Sequence, residues 1–359
     1  MSPAPVFLKM LMAGNGDAIT ISFKGDGDCW RNVLIDGGNG KDCYLTHLRK
    51  VAVNIVEQGQ QIDLLVITHI DQDHIKGIIY LTREMAAGKS ELKDDLVAKY
   101  WFNSALSEKI FQNDPKLFDI SAAEMREFEE FLHNRSDERW DIKDPVFNPS
   151  FRELHGACLT ILSPNSEILQ AFIETYRDQD IATLSNDYDR SLKELYAMEI
   201  KKFEDGNEDL DDKLENAMSI AFLFEHHSTS ILYLGDAIPM VIDPAIKELL
   251  AARGLDKLTV GAVKLSHHAS RKSISFGFLS LVATNKYLVS ANGKKAALPN
   301  KATFAKILMN EHRDISQHIE FYFNHPDFSA IFKFTEAEYK DLNFSCHDAN
   351  FEHGYCLPL

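Results

Sequence analysis

The feature that most constrains the fold is the segment "IDLLVITHIDQDHIKG", residues 62–77, where an apolar run leads directly into a polar turn. The run IDLLVIT has the length and composition of a strand that is buried on both faces. The turn holds two histidines and two aspartates within six positions, and a helical pattern follows it. Imidazole and carboxylate suit Zn²⁺, Mn²⁺ or iron better than Ca²⁺ or Cu⁺. The segment is therefore either a metal site, which we favour, or a plain polar turn.

The rest of the chain alternates between strand patterns and helical patterns. Helices are predicted at 43–58, 105–135 and 301–312, and in "HIKGIIYLTREM" and "PMVIDPAIKELLAARG". The predicted strands are 6–12, 18–23, "RNVLID", "IDLLVIT", "KYWFNSA", "GACLTILS", "MSIAFLFEH", "TSILYLG", "LTVGAVKLS", "KYLVSAN", "HIEFYFN" and "FSAIFKFT". The pair "MSIAFLFEH" and "TSILYLG" is predicted to form a hairpin. This order suits two mixed sheets packed together, with helices outside.

We predict one domain over residues 1–359, although a length of 359 residues also fits two domains. Helical insertions at 105–148 and 166–215 are too long to be simple connectors and are expected to form a lid or dock a partner. A strand pair and tail are expected at 313–359. The acidic tract 203–215 is expected to be peripheral, so that its deletion would leave metal content intact.

Composition indicates a globular protein, with 45% hydrophobic residues. The five scattered cysteines suggest reduced thiols in the cytosol. We see no signal-peptide pattern and no apolar stretch of about 18 residues, so we expect a cytoplasmic protein without a membrane span. Cys346, His347, His353 and Cys356 could hold zinc, but a packed tail is the favoured interpretation.

Charge is distributed unevenly. The formal net charge is −16, which argues against loose binding of nucleic acid by the protein as a whole. Residues 203–215 carry seven acids and one lysine, whereas residues 257–306 carry nine lysines or arginines and no acid. A local basic face is therefore compatible with the acidic total.

The opening segment resembles the H-x-[HD]-x-D-H-x-x-G signature of the metallo-β-lactamase superfamily. Its aspartate at the third position resembles the ComEC competence-protein branch. Other segments agree in order: "AGNGDAITI", "VLIDGG", "ENAMSIAFLF", "LYLGDA" and "KLSHHAS" resemble that branch's successive motifs. The resemblance covers most of residues 6–310 and implies an α/β fold, the metallo-β-lactamase-like four-layer αββα sandwich, with the helical insertions added.

The resemblance also implies a site for two divalent metal ions, Zn²⁺ or Mn²⁺. His69 and Asp71 would face one metal, and Asp73 and His74 would face the second. Asp236 would bridge both. Asp17 and Asp36 match the family's structural turns.

Several positions leave parts of this assignment open, including Asn216 at the first metal. His267 or His268 would complete the second metal's ligands, and His267, nearer the strand end, is favoured. Asn216 stands where many superfamily members have a histidine and would be a weak ligand or a supporting group. Leu298 replaces a histidine of the branch, and "SHHAS" replaces "SHHGS". The first metal is then poor in nitrogen ligands, which implies lower affinity or a preference for Mn²⁺.

For two metals the implied chemistry is hydrolysis by a metal-activated hydroxide. Asp73 would orient the hydroxide as well as bind metal. The second histidine of the pair, His268, or Lys272 would protonate the leaving group.

The ComEC branch is associated with DNA cleavage, and the acid-free stretch supplies candidate cations for a phosphate backbone. These residues are Lys264, Arg271, Lys272, Lys294 and Lys295. A solvated basic face is the alternative. No zinc finger, helix-turn-helix or RNA-recognition signature is present, so we expect binding that is not sequence-specific.

Three functions stay open. The favoured one is a phosphodiesterase or nuclease acting on DNA, or on a nucleotide signal. The others are a hydrolase of an ester, lactone or lactam, and a regulatory module with a degraded metal site. By analogy with stand-alone members of the branch, we also expect a partner protein such as an NTPase, for instance in phage defence.

Overall fold

The protein is built around two mixed β-sheets. The computed structural model describes residues 5–104, 120–134, 138–140, 144–178, 196–203, 208–294 and 298–359, without the side chains of 120–122 and 176–178. Within those residues the strands are β1 (Phe7–Leu11), β2 (Ile19–Lys24), β3 (Trp30–Ile35), β4 (Leu64–Val66), β5 (Tyr100–Trp101), β6 (Ser150–Leu154), β7 (Ala157–Ser163), β8 (Ala221–His226), β9 (Thr229–Tyr233), β10 (Leu258–Thr259), β11 (Ala262–Lys264), β12 (Val282–Ala283), β13 (Lys286–Val289), β14 (Ile319–Phe323), β15 (Phe344–His347) and β16 (Gly354–Pro358).

One sheet has the strand order β16-β1-β2-β3-β4-β5, and the other has the order β15-β14-β13-β11-β9-β8-β7-β6. In the first sheet β16 to β3 are antiparallel neighbours, whereas β3, β4 and β5 run parallel. In the second sheet β6 to β9 are antiparallel, and the strands from β9 to β15 are parallel. The β8–β9 hairpin predicted from the sequence is confirmed.

Helices cover the outer faces of both sheets. They are α1 (Gly40–Cys43), α2 (Arg49–Glu57), α3 (Gln72–Ala87), α4 (Ile120–His133), α5 (Ser166–Asp178), α6 (Leu214–Ala217), α7 (Pro239–Arg253), α8 (Phe276–Leu281), α9 (Lys301–Leu308) and α10 (Glu336–Asp341). A π-helical turn at Tyr44–Leu48 joins α1 to α2. Among these helices, none is both long enough and apolar enough to cross a membrane.

Alternation along the strands creates the layers. In β8, Phe222 and Phe224 point into the core between the two sheets, while Leu223 points into the core under α7 and α9. Similarly, Val33 lies between the sheets, whereas Leu34 packs in the core beneath α2 and α3. Helix, sheet, sheet and helix therefore follow one another, and the predicted four-layer αββα sandwich is confirmed.

Close backbone packing holds the start of α3 against the turn after β3. A Cβ atom added at Gly77 would lie 1.8 Å from the carbonyl oxygen of Gly37, and one at Gly16 would lie 1.6 Å from that of Asp73. These glycines let the turns after β1, β3 and β4 meet at one edge of the sheets. The glycine that ends the "HIDQDHIKG" motif is thus a packing requirement.

Two sequence predictions are wrong. "FSAIFKFT" is not a strand, because residues Ser329–Phe332 form a 3₁₀ turn, and β14 pairs in parallel with β15 instead. The helix predicted at 301–312 ends at Leu308. The predicted insertions lie partly outside the described residues, at 105–119, 135–137, 141–143, 179–195 and 204–207.

Candidate metal centre

Asp236 is the centre of the site, and four histidines surround it. It follows β9, and its Oδ2 atom lies 3.4 Å from the Nε2 atom of His74. The same oxygen lies 3.6 Å from Nε2 of His268, 3.8 Å from Nε2 of His69 and 4.0 Å from Nε2 of His267. His69 and His74 follow β4 in one sheet, and His267 and His268 follow β11 in the other, so the carboxyl ends of strands from both sheets bring the histidines together. The geometry agrees with a bridging position for Asp236.

Two of these histidine rings are held in place by contacts of their Nδ1 atoms. Nδ1 of His74 lies 2.7 Å from Oδ2 of Asp36, and Nδ1 of His268 lies 2.9 Å from the carbonyl oxygen of Ser290. A backbone carbonyl only accepts, so Nδ1 of His268 donates and its Nε2 carries the lone pair. Both rings therefore present Nε2 to the centre of the site, as metal-binding histidines do.

The aspartates of the motif lie on opposite sides of this centre. Oδ2 of Asp73 lies 3.7 Å from Nε2 of His268, and it accepts a hydrogen bond of 2.6 Å from Nδ2 of Asn15. Oδ2 of Asp71 lies 3.9 Å from Nε2 of His69. The structure therefore brings Asp73 towards His74 and His268, and Asp71 towards His69.

The structure reverses the predicted preference between the two adjacent histidines. His268 is buried and faces both Asp73 and Asp236, whereas the side chain of His267 is 28% exposed and lies at the rim. Nδ1 of His267 lies 3.3 Å from Oδ2 of Asp211. His268 is thus the better metal ligand, and His267 is the better candidate for proton transfer.

Unpaired polar atoms show that this cluster suits a metal ion. The Nε2 atoms of His69, His74 and His268 and the Oδ1 atom of Asp236 are buried without a hydrogen-bond partner among the described residues. Leaving a buried polar atom unpaired costs about 1–3 kcal/mol. Nitrogen and carboxylate donors converging in this way fit Zn²⁺, Mn²⁺ or iron. His69, His74 and Asp236 form one compact donor group, and Asp73, His74 and His268 form another.

The pKa shifts of the clustered residues also suit a bound cation. Burial, together with the neighbouring His74, lowers the pKa of His69 to about 4, which keeps that imidazole neutral. Burial alone would lower the pKa of His74, but the carboxylates of Asp236 and Asp36 raise it well above its usual value. Burial would raise the pKa of Asp236, but His74 and His268 hold it well below its usual range. The cluster therefore stabilises positive charge at its centre, supplied by protons or by a metal ion.

The rim contains a residue that sequence reasoning missed. Asp211 belongs to the acidic tract 203–215, yet it is buried, and its Oδ2 accepts a hydrogen bond of 2.6 Å from Nδ2 of Asn216. The same oxygen faces His267, as described above. Asp211 thus lies at the rim of the site, although the tract was predicted to be peripheral, and retention of metal after deletion of 203–215 stays a prediction. Asn216, predicted to be a weak ligand or a supporting group, lies beside His267, with its amide nitrogen 3.3 Å from Nδ1 of that ring.

Lys264 was predicted to bind substrate, and its position rules out that role. It lies on β11 with no exposed surface, and its ammonium group pairs with Asp17 and donates to the carbonyl oxygen of Gly235 at 3.2 Å. Burial would raise the pKa of Asp17, but Lys264 lowers it far below its usual range. Oδ1 of Asp17 in turn lies 3.5 Å from Nδ1 of His268. Lys264 thus neutralises the buried carboxylate of Asp17 beneath the site.

The remaining predicted cations are only partly available. Nζ of Lys272 lies 2.7 Å from Oδ2 of Asp209, and Nη2 of Arg271 lies 3.6 Å from the same oxygen. Lys272 therefore has a partner other than the histidine cluster, which does not support it as a proton donor. Lys294 is exposed. Lys295 lies outside the described residues.

The C-terminal cysteines and histidines do not form a second metal site among the described residues. Nδ1 of His353 lies 3.4 Å from Nδ1 of His47, and Nε2 of His347 lies 3.4 Å from Oε1 of Glu320. Cys346 and Cys356 are free thiols, as are the other three cysteines. The packed-tail interpretation fits this arrangement.

No protein-family model matches the chain, and no curated protein matches it. Among solved structures, the chain is similar to the metallo-β-lactamase-fold protein YhfI from Bacillus subtilis, with 11% identity over 99% of this chain and 100% of that chain and a TM-score of 0.42. It is similar to Zn²⁺-bound PqqB from Methylobacterium extorquens, with 12% identity over 98% and 100% and a TM-score of 0.39. It is also similar to CmlA, a diiron β-hydroxylase from Streptomyces venezuelae, with 12% identity over 100% of this chain, 54% of that chain and a TM-score of 0.39. The chain thus spans about half of CmlA, and these identities and TM-scores are too low to transfer an activity, a metal or a substrate.

Proposed function

We propose that this protein is a metal-dependent phosphodiesterase of the ComEC-like branch of the metallo-β-lactamase superfamily, with DNA as its substrate class. The observation that carries the proposal is the convergence of four histidine Nε2 atoms on Asp236 within 4.0 Å. The order of the motifs along the chain supports the branch. Arg271 and Lys272, three and four residues after His268, support a phosphate-bearing substrate.

The donor sets divide between two positions. His69, Asp71 and Asp236 would hold one divalent ion, and the second would be held by Asp73, His74, His268 and Asp236. Zn²⁺ or Mn²⁺ bound there would polarise the phosphoryl oxygens and activate water.

The protein's own groups orient the reaction. Asn15 fixes the carboxylate of Asp73 by the 2.6 Å hydrogen bond from its amide. Asp211 faces Nδ1 of His267, so Nε2 of that ring faces the centre of the site. There it is placed to give a proton to the leaving oxygen. Arg271 and Lys272 would receive the neighbouring phosphates.

The test combines metal content with hydrolysis. The purified protein would be stripped with EDTA, reloaded with Mn²⁺ or Zn²⁺, and assayed by mass spectrometry for bound metal. It would then be offered single-stranded DNA, double-stranded DNA, bis(p-nitrophenyl) phosphate and p-nitrophenyl acetate. We expect metal-dependent cleavage of DNA and of the phosphodiester. Asp236→Asn should lose metal and activity by about 100-fold or more, because it removes the shared donor.

Asp256→Asn is the matched control, since Asp256 is an exposed aspartate near the end of the β9–β11 connection. It should retain both metal and activity. Hydrolysis of the acetate ester alone would contradict the phosphodiester proposal and favour an esterase. Bound metal without any hydrolysis would favour a regulatory module.

A further inference from the structure

The cations beside the metal centre are already held by a segment of the same chain. Residues 208–211, here called the acidic segment, run alongside the loop that follows His268. Oδ2 of Asp209 contacts both Lys272 and Arg271, at 2.7 and 3.6 Å. These are the cations that a phosphate backbone would use. Within the described residues, the acidic segment thus neutralises part of the positive charge of the acid-free basic stretch.

The acidic segment is anchored at both ends. At one end, Oε1 of Glu208 accepts a hydrogen bond of 2.7 Å from the backbone nitrogen of Phe276 and lies 3.3 Å from Nζ of Lys306. At the other end, the backbone nitrogen of Asp211 donates to the carbonyl oxygen of Lys272 at 3.0 Å. The buried carboxylate of Asp211 is held by Asn216 and faces His267. The segment is therefore fixed in register against the loop.

Asp209 differs from its neighbours because its contacts are exposed. The side chains of Asp209 and Lys272 are 59% and 43% exposed, and that of Arg271 is 38% exposed. An exposed ion pair is weak, because water screens the attraction between its charges. A phosphate can therefore replace the Asp209 carboxylate by rotation of one side chain, while Glu208 and Asp211 keep the segment in place.

We propose that Asp209 limits the binding of polyanionic strands by competing with phosphate groups for Arg271 and Lys272. A polyanionic strand must displace its carboxylate from both cations, whereas a small monoanionic phosphodiester reaches the metal centre without doing so. Asp209 thus weakens the binding of long nucleic acid, because the phosphates next to the one at the metal centre must first displace its carboxylate. This inference rests on the proposed function for its substrate class.

The experiment measures binding separately from turnover. Full-length protein would be titrated into a fluorescein-labelled phosphorothioate thymidine oligonucleotide, which keeps the backbone charge and resists cleavage, and anisotropy would be followed at several salt concentrations. Asp209→Asn should bind several-fold more tightly at low salt. The slope of log K against log salt should steepen by about 0.7 for each cation that is freed. Asp209→Ala should behave in the same way.

Asp212→Asn is the matched control, because it makes the same change in charge at an exposed neighbouring position. It should leave binding nearly unchanged. Equal tightening in the two variants, no change in Asp209→Asn, or no binding by any variant would overturn the inference. Hydrolysis of bis(p-nitrophenyl) phosphate by the wild type tests the proposed function alone. Asp209-dependent binding without any hydrolysis would therefore sink the proposed function and leave the inference standing.

Discussion

The two halves of the metal centre differ in how deeply their ligands are buried and how firmly neighbouring groups orient them. On one side, His74 and His268 are buried, and an acceptor 2.7 or 2.9 Å from Nδ1 fixes each ring. On the other side, the side chain of Asp71 is 36% exposed, and the amide of Asn216 donates to Asp211. Only His69 supplies a buried imidazole there, with Nδ1 3.0 Å from Oγ1 of Thr68.

This difference predicts unequal metal affinities. Ligands that are already oriented lose little freedom on binding, and the partners behind them contribute about 10–100-fold to metal affinity. The half with His74 and His268 should therefore bind the first ion, and the half with His69 and Asp71 should fill at higher metal concentration. A carboxylate-rich half also favours Mn²⁺ relative to a nitrogen-rich one.

The largest effect should come from separating the two adjacent histidines. His268→Ala removes a buried imidazole from the better half, so its metal affinity should fall by about 100-fold or more. His267→Ala removes a rim residue and should lower metal affinity by less than about 10-fold, while hydrolysis still declines. Isothermal titration with Zn²⁺ distinguishes the two. Equal losses of affinity in both variants would show that the rim histidine is also a metal ligand.

The next effect concerns the group behind His74. Asp36→Asn replaces the carboxylate that faces Nδ1 of His74 and accepts from the backbone nitrogen and hydroxyl of Thr68. Affinity for the tighter metal should fall by about 10–100-fold. Asp63→Asn is the control, because Asp63 is an equally buried carboxylate that accepts from the backbone nitrogen of Asn32 and lies away from the site. If both variants lose thermal stability but only Asp36→Asn loses metal, the effect belongs to the site.

The part of the site that the sequence predicts well is the motif turn, which contributes ligands to both halves. His69, Asp71, Asp73 and His74 lie in one turn after a buried strand, so local order is enough to predict that they converge. The choice between His267 and His268 depends on backbone conformation. Their φ values of +45° and +54° send adjacent rings in different directions, and no periodicity in the sequence indicates such a turn.

The ion pairs at the rim of the site could not be predicted from the sequence. Charge counting along the chain separates the acidic tract from the basic stretch, but folding pairs Asp209 with Lys272 across about 60 residues. Lys264 was predicted to bind substrate because it lies in the basic stretch, but it is buried against Asp17, which lies between β1 and β2. Long-range pairing of this kind leaves no local pattern. Only the global arrangement reveals which cations face a substrate.

A smaller effect should follow from repairing the weaker half. Asn216→His would introduce an imidazole next to Asp211 and His267. If this ring binds the second ion, affinity for that ion should rise by up to about 10-fold, with a shift from Mn²⁺ towards Zn²⁺. Asn216→Ala is the control for loss of the hydrogen bond to Asp211. Competition titrations with a chelating dye would follow the second ion. Unchanged affinity in Asn216→His would mean that this position does not reach the metal.

The smallest effect is expected at Ala269, the residue that follows the two adjacent histidines. Its φ is +63° and it is buried, so left-handed backbone costs about 1–2 kcal/mol relative to glycine. Ala269→Gly relieves that cost but loses a buried methyl group, about 0.8 kcal/mol, and makes the unfolded chain more flexible, about 0.4–1 kcal/mol. The terms nearly cancel, so urea unfolding of the metal-free protein should change by less than about 1 kcal/mol. Metal affinity should be unchanged, since the rings of His267 and His268 keep their turn. A larger change in either quantity would mean that the left-handed turn itself sets the geometry of the better half.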